Sequence, residues 1–446
     1  MRTRIPRTLF EVALPALPLS RRDVIRNSVL LGTGGALAGM PLAGGLLAQD
    51  KPADWPRVKR LVESYVADGK VANMLAVLGK GDAKPVTIAA GSRGLRMAGA
   101  VDIDSLYRIY SMTKPITGMA TMMCVDAGLL GLDQPLHEIL PAFKNLWVQK
   151  QYDGSVGAGN LEKLARPITI RHLLTHTAGL GYGFVQQGSI AQAYVDRGLS
   201  PYQLTRLRLP IPLLGRPAPS LEAFADRLAE VPLVRQPGTR WSYSVSFDLL
   251  GRVIEVVSGK SFESFLQERL FDPLGMTSTY FRVPASETGR LTANYFLLGG
   301  MLIAIDMPED SVFLDKPAFA FGGSGLVSSG RDYDRFLHML ANRGTLNGKR
   351  VVSEAAVALA TSDLLPETLA ANGGPRPGFG FGAGGIVGRG EAEGLFGWAG
   401  LAGTLGFVNM RSGLRHTLMT QYMLADAYPL DETFPRLVAQ DALGQS

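Results

Sequence analysis

From Trp55 to Asp68 the apolar residues Val58, Leu61, Val62 and Val66 recur at helical spacing, and the pattern predicts a first helix. Two strand-like runs follow, Asn73 to Gly79 and Pro85 to Ala90, joined by Lys80-Gly81-Asp82-Ala83-Lys84, a hairpin loop in character. Ser111 to Val125 then carries Met112, Ile116, Met119, Met122, Met123 and Val125 and predicts a buried helix. Pro115 is tolerated in its first turn, where backbone N–H groups lack intrahelical acceptors. Helical patterns return at Arg171 to Thr175, at Ser220 to Ala229 and at Phe247 to Val257, which stops at Gly259. Ser261 to Leu270 follows with its own cap. From Gly322 onward, glycine-rich turns surround a helix at Asp332 to Asn342 and strand-like runs at Leu395 to Ala399, Thr404 to Met410 and His416 to Met423. A closing helix spans Asp431 to Leu443, and the Gly/Pro-rich stretch Asn372 to Gly390 reads as a long turn.

Strands at both ends with helices between predict an α/β (α+β) fold. One lobe is expected from residues 49–130 and 315–446, with a mostly helical lobe, 131–314, inserted into it. Active sites commonly occupy such an interface. The apolar segments Leu207 to Leu214 and Tyr295 to Ile305 suit a roof over an acyl pocket or the core of the helical lobe, and the core reading is preferred.

A chain of 446 residues, 46% hydrophobic, can bury a sizeable core. Its net charge of +6 invites a nucleic-acid reading, but the first 48 residues carry six arginines against Glu11 and Asp23. Without that segment the charge falls to +2, and no electrostatic case for nucleic acid remains. The same segment has the form of a targeting signal: Ser20-Arg21-Arg22-Asp23-Val24-Ile25-Arg26 precedes a weakly apolar run from Ser28 to Leu47. It resembles a twin-arginine export signal over residues 1–48. That implies passage through the export machinery and a periplasmic or secreted protein. Six glycines and Pro41 make the run a poor membrane-spanning helix. The single cysteine, Cys124, excludes an intrachain disulfide and reads as inert core.

The chemistry begins at Ser111-Met112-Thr113-Lys114. Residues three apart on a helix share a face, so the Ser111 hydroxyl and the Lys114 amine can approach hydrogen-bonding distance as nucleophile and base. No Asp or Glu occurs between Ser105 and Val125, so no neighbour in sequence favours a charged lysine. A second proton-handling group is offered by Tyr243 in the turn Pro237 to Ser244. Gly397-Trp398-Ala399-Gly400-Leu401 is a small-residue strand edge suited to presenting a backbone N–H to a substrate oxygen. His172 and His176 stand at i, i+4, but without the glutamate of His-Glu-x-x-His a zinc site is disfavoured and structural histidines are expected. No metal or other cofactor is implied.

Together these landmarks resemble the class C β-lactamase superfamily of serine hydrolases, and within it the family VIII carboxylesterases. The resemblance rests on Tyr107 to Lys114, Leu173 to Leu180, Pro237 to Tyr243, Asp272 to Met276, Gly322 to Leu326 and Gly397 to Thr404, and covers Trp55 to Leu443. It implies a β-lactamase/DD-peptidase-like fold, an antiparallel sheet flanked by helices. It also implies Ser111 as nucleophile, Lys114 as its base, Tyr243 as proton carrier, and the N–H groups of Ser111 and Leu401 as the oxyanion hole.

Two departures from the lactamase pattern bear on substrate. Val245 stands where Tyr-x-Asn places its amide, and Trp398-Ala399-Gly400 replaces Lys-Thr-Gly, removing the cation that would grip a lactam carboxylate. Val245, Trp398, Ala399 and Gly400 are therefore expected to border a small neutral ester. An exported esterase for short-chain carboxylic esters is the leading expectation. A D-amino-acid peptidase or amidase, an acyltransferase or a weak β-lactamase could use the same site, and a catalytically silent penicillin- or cell-wall-binding protein is the alternative of another class.

Overall fold

Every residue of the strand Asn73–Lys80 (β1) except the last is buried, which requires cover on both faces of its sheet. The computed structural model, which describes residues 54–200, 203–207, 215–366, 369 and 374–444, provides that cover. β1 belongs to a seven-stranded sheet with Val86–Gly91 (β2), Phe379–Phe381 (β3), Ile386–Gly388 (β4), Leu395–Ala399 (β5), Leu405–Asn409 (β6) and Leu414–Met419 (β7). The spatial order is β3-β4-β5-β6-β7-β1-β2, and every pairing is antiparallel. The N-terminal hairpin thus adds to the edge of a C-terminal meander, joining the two chain ends in one sheet. The proposed export signal, residues 1–48, lies outside the described residues, as does most of Leu207 to Leu214.

Five of the longer helices are Pro56–Ala67 (α1), Thr113–Asp126 (α2), Ser246–Ser258 (α3), Gly330–Ala341 (α4) and Leu430–Leu443 (α5). α4 covers one sheet face, where a Cβ added at Gly330 would come within 2.9 Å of the Leu75 and Val77 side chains. The opposite face carries Leu78 and its partner His416, whose ring lies 5.6 Å from Phe434 of α5. α1 lacks a side-chain cap of its own. Its first N–H groups instead donate to Asp441 of α5, from Arg57 at 2.9 Å and Val58 at 3.0 Å, which ties the two ends of the domain together.

Between β2 and α4 the longer regular elements are helices; elsewhere and among them, two segments differ from the sequence reading. Asn294–Leu298 and Met301–Asp306 form a hairpin, with Tyr422–Met423 as the third strand of its sheet; Tyr295 and Ile305 are buried but Leu298, Met301 and Ile303 are exposed, so Tyr295 to Ile305 is only in part the core preferred for it. Gly299 and Gly300, at φ 56° and 81°, supply the positive dihedrals a two-residue turn demands. Asn372 to Gly390 is likewise more than a turn, since it contains β3 and β4. Its glycines conceal the strands because the pairing is made by backbone groups.

Candidate active site

The helix that carries Lys114 begins two residues later than the sequence suggests, at Thr113. Tyr110–Met112 forms a 3₁₀ turn ahead of α2, and Ser111 sits in it. Tyr110 has φ 39°, a left-handed conformation unfavourable for a residue with a Cβ. Packing holds it: Asn294 Nδ2 donates to the Tyr110 hydroxyl at 3.1 Å, and its ring meets Phe313 edge-on at 6.2 Å. Immediately upstream, the fully buried Arg108 donates through Nε to Asp306 Oδ2 at 2.6 Å and through Nη1 to the Thr292 carbonyl at 2.5 Å. The strained turn is therefore anchored on both sides of its backbone.

The three residues expected to carry the chemistry converge. Lys114, completely buried, donates from Nζ to Ser111 Oγ at 3.2 Å and to the Gly323 carbonyl at 2.7 Å. The Tyr243 hydroxyl donates to the same Ser111 Oγ at 2.8 Å. Lys114 Nζ also lies 4.5 Å from the centre of the Tyr243 ring. Serine hydroxyl, amine and phenol thus form one hydrogen-bonded group, within reach for direct proton transfer.

Tyr243 is held by a loop laced to the segment after Leu174. Gly238 N donates to the Thr177 carbonyl at 2.8 Å, Ser242 N to the His176 carbonyl at 2.9 Å and Val245 N to the Gly181 carbonyl at 3.1 Å. His176 is buried within this lacing: its Nδ1 is 2.9 Å from Ser244 Oγ, and its ring lies 4.7 Å from that of Tyr243. Burial, and then the charge of Lys114, hold His176 well below the usual imidazole range. His172 completes a capping box with Thr169 at the start of Ile170–Leu174. Among the described residues no group of three His, Cys, Asp or Glu side chains is arranged to hold a metal ion.

Opposite Tyr243 lies the end of β5. Trp398 stacks on Tyr243 with ring centres 6.0 Å apart and meets Phe381 of β3 edge-on at 5.3 Å. Gly400 donates its N–H to the Thr404 carbonyl at 2.8 Å. A Cβ there would fall 2.4 Å from the carbonyl oxygen of Ile109, so only glycine lets this strand end lie against the nucleophile turn. Leu401 follows at once and packs in the same cluster as Tyr110. This contact of Gly400 with Ile109 sets Leu401 beside the turn that carries Ser111, the two residues whose N–H groups were expected to meet a substrate oxygen. Trp398 and Ala399 border this region, but Val245 does not fit the role expected of it. It is wholly buried in the main core at the start of α3, and its side chain offers no surface to a substrate.

One functional group escaped the sequence reading. Asp248, in the first turn of α3, is almost completely buried and accepts the Gly323 N–H at 3.0 Å. Gly323 therefore connects Asp248, through its N–H, with Lys114, through its carbonyl. Burial pushes the Asp248 carboxyl up to about 7, against the opposing pull of Lys114 and the Gly323 N–H. In sequence, an acid in a helix's first turn reads only as a favourable partner for the helix dipole. Its proximity to Lys114 is purely tertiary.

This site stands on a backbone that others share. The sequence pattern of the Beta-lactamase family matches residues 58–440. The chain belongs to the beta-lactamase family. Protein Rv1367c of Mycobacterium tuberculosis (strain ATCC 25618 / H37Rv) is 34% identical over 264 residues, 59% of this chain and 61% of the relative. The lovastatin esterase of Penicillium rubens is 32% identical over 248 residues, 55% of this chain and 57% of the relative. The matches thus span about three fifths of these curated relatives. Among solved structures, EstCE1, a hydrolase with promiscuous acyltransferase activity, superposes with a TM-score of 0.69 at 22% identity, over 86% of this chain and 97% of its own. The likeness establishes the β-lactamase-like fold expected from the sequence.

Proposed function

We propose that this beta-lactamase family member is an exported serine esterase that hydrolyses short-chain carboxylic esters through an acyl-serine intermediate. The observation that carries the reading is the convergence of Lys114 Nζ and the Tyr243 hydroxyl on Ser111 Oγ, at 3.2 and 2.8 Å. In this reading Lys114 takes the Ser111 proton as Oγ attacks the ester carbonyl, and the N–H groups of Ser111 and Leu401 receive the oxyanion. Tyr243 then protonates the departing alcohol and is reprotonated from Lys114, leaving an acyl group on Ser111. Water attacks the acyl-serine by the reverse proton path and releases the acid.

Preference for neutral esters is supported by Trp398, whose indole and the Tyr243 and Phe381 rings around it present an aromatic wall where a lactamase would place a cation. The lovastatin esterase among the relatives agrees in reaction class. Export rests on the twin-arginine-like segment Ser20 to Arg26. An acyltransferase reading is favoured by relatives with transferase names, among them one from Aspergillus terreus named monacolin J acid methylbutanoyltransferase, 30% identical over 258 residues. An alcohol would then replace water as second acceptor.

The test compares wild type with Ser111→Ala on p-nitrophenyl butyrate and on a chromogenic cephalosporin. Ester turnover lost in the variant, with little cephalosporin cleavage, is expected. Strong cephalosporin cleavage would overturn the substrate assignment, and ester turnover that survives the substitution would overturn the mechanism. Addition of a small alcohol separates hydrolase from transferase by the fraction of transesterified product.

A further inference from the structure

We propose that Asp248 is a positioning residue for Lys114: its buried carboxyl, seated behind the Gly323 peptide, is coupled to the Lys114 amine across that peptide and sets the pH dependence of Ser111 activation. The inference rests on the reading of Lys114 as general base and adds to it a residue that touches neither Ser111 nor a substrate.

The geometry separates this role from simple helix capping. The Gly323 peptide is shared, accepting from Lys114 Nζ at 2.7 Å and donating to Asp248 Oδ1 at 3.0 Å, so a shift in one group is transmitted to the other. Gly323 is itself fixed by close contact, because a Cβ there would fall 2.7 Å from Asp248 Oδ2. Thr117 Oγ1 binds the adjoining Gly322 carbonyl at 2.7 Å, which locks the connecting loop onto α2. The other titratable groups facing Lys114 are the Tyr243 hydroxyl, donated to Ser111, and His176, kept neutral by burial. Asp248 faces Lys114 across Gly323 and is fully enclosed. A buried carboxylate acting on a buried lysine couples their protonation strongly because little water screens them.

Two measurements test the proposal. Asp248→Asn preserves shape and an acceptor for the Gly323 N–H while removing the charge. The acidic limb of kcat/KM for p-nitrophenyl butyrate, and of the rate at which a fluorophosphonate labels Ser111, is expected to move to lower pH by on the order of one unit. A capping role alone would lower stability and leave both limbs in place. The second measurement needs no activity: unfolding of Lys114→Met, Asp248→Asn and the double variant is followed from pH 5 to pH 9. A carboxyl raised by burial loses stabilising effect as pH rises through its folded value. Wild type should level off above about 7, Lys114→Met should keep falling, and the double variant should lose that fall. Unmoved limbs together with additive stabilities would overturn the proposal. Wild-type turnover independent of Ser111 would instead overturn the serine-esterase reading, a distinguishable failure.

Discussion

Ser111 Oγ accepts from both Lys114 and Tyr243, which divides the proton work between an amine and a phenol. The amine lies in the closed interior, and the phenol, on its loop, is almost as enclosed. Removing only the Tyr243 hydroxyl should therefore impair the leaving-group step while leaving the fold intact. Tyr243→Phe is expected to lower kcat on p-nitrophenyl butyrate by about 10²- to 10⁴-fold, with an unfolding midpoint near that of wild type, since the ring keeps its contacts with His176 and Trp398. Activity within a few-fold of wild type would remove Tyr243 from the mechanism. At this scale the sequence was legible where chemistry depends on local spacing: the three-residue step from Ser111 to Lys114 is a property of one helical turn. Asp248 and Val245 were misjudged or missed because their roles depend on burial and on a contact across the molecule, and neither leaves a local signature.

Among the elements, α2 is placed by an unusually close approach. A Cβ at Gly118 would fall 2.0 Å from the Ala383 carbonyl oxygen, so the turn between β3 and β4 rests directly on the backbone of the nucleophile helix. Gly384 of that turn, at φ 89°, stands equally near α2, since a Cβ on it would fall 2.3 Å from the Lys114 carbonyl oxygen. Gly118→Ala would gain helix propensity of about 1 kcal/mol, yet overpacking against fixed backbone costs about 1–3 kcal/mol. The net expectation is a less stable protein with a displaced Ser111, measured as a lower urea midpoint and reduced kcat. An alanine variant of unchanged or greater stability would mean that the turn can retreat freely. The helices themselves were legible: α3 runs from Ser246 to Ser258 and ends at Gly259 with φ 68°, close to the pattern of Phe247 to Val257. The short β3 and β4 were not, since glycine leaves no hydrophobic alternation to read.

Over the whole molecule, one sheet built from both chain ends supports the site, and its interior carries a pH-dependent weakness. His416 of β7 is buried between Phe407 and Phe434, and among the described residues neither ring nitrogen has a hydrogen-bond partner. Burial pushes its imidazole down to about 4. Because the folded value lies below the unfolded one, the unfolded chain binds the proton more readily as pH falls. The stability is complete above about 6.5 and lost progressively toward 4. The loss is on the order of 3 kcal/mol for a fully enclosed imidazole. His416→Leu is expected to reduce the slope of this part of the stability profile in urea titrations between pH 4 and pH 7, with the buried His172 and His176 accounting for what remains; an unchanged slope would assign the acid sensitivity elsewhere. The two-ended sheet was legible because β1 and β5 to β7 are apolar runs bounded by turns. The hairpin Asn294 to Asp306 was missed although Gly299 and Gly300 separate its two apolar runs.

The measurement that bears most directly on the account is mass spectrometry of the intact protein mixed rapidly with p-nitrophenyl butyrate, followed by peptide mapping. A single butyryl group on the peptide containing Ser111, absent from Ser111→Ala and decaying as acid is released, is the predicted result. An ester turned over with no adduct at Ser111, or with the acyl group on another residue, would contradict it.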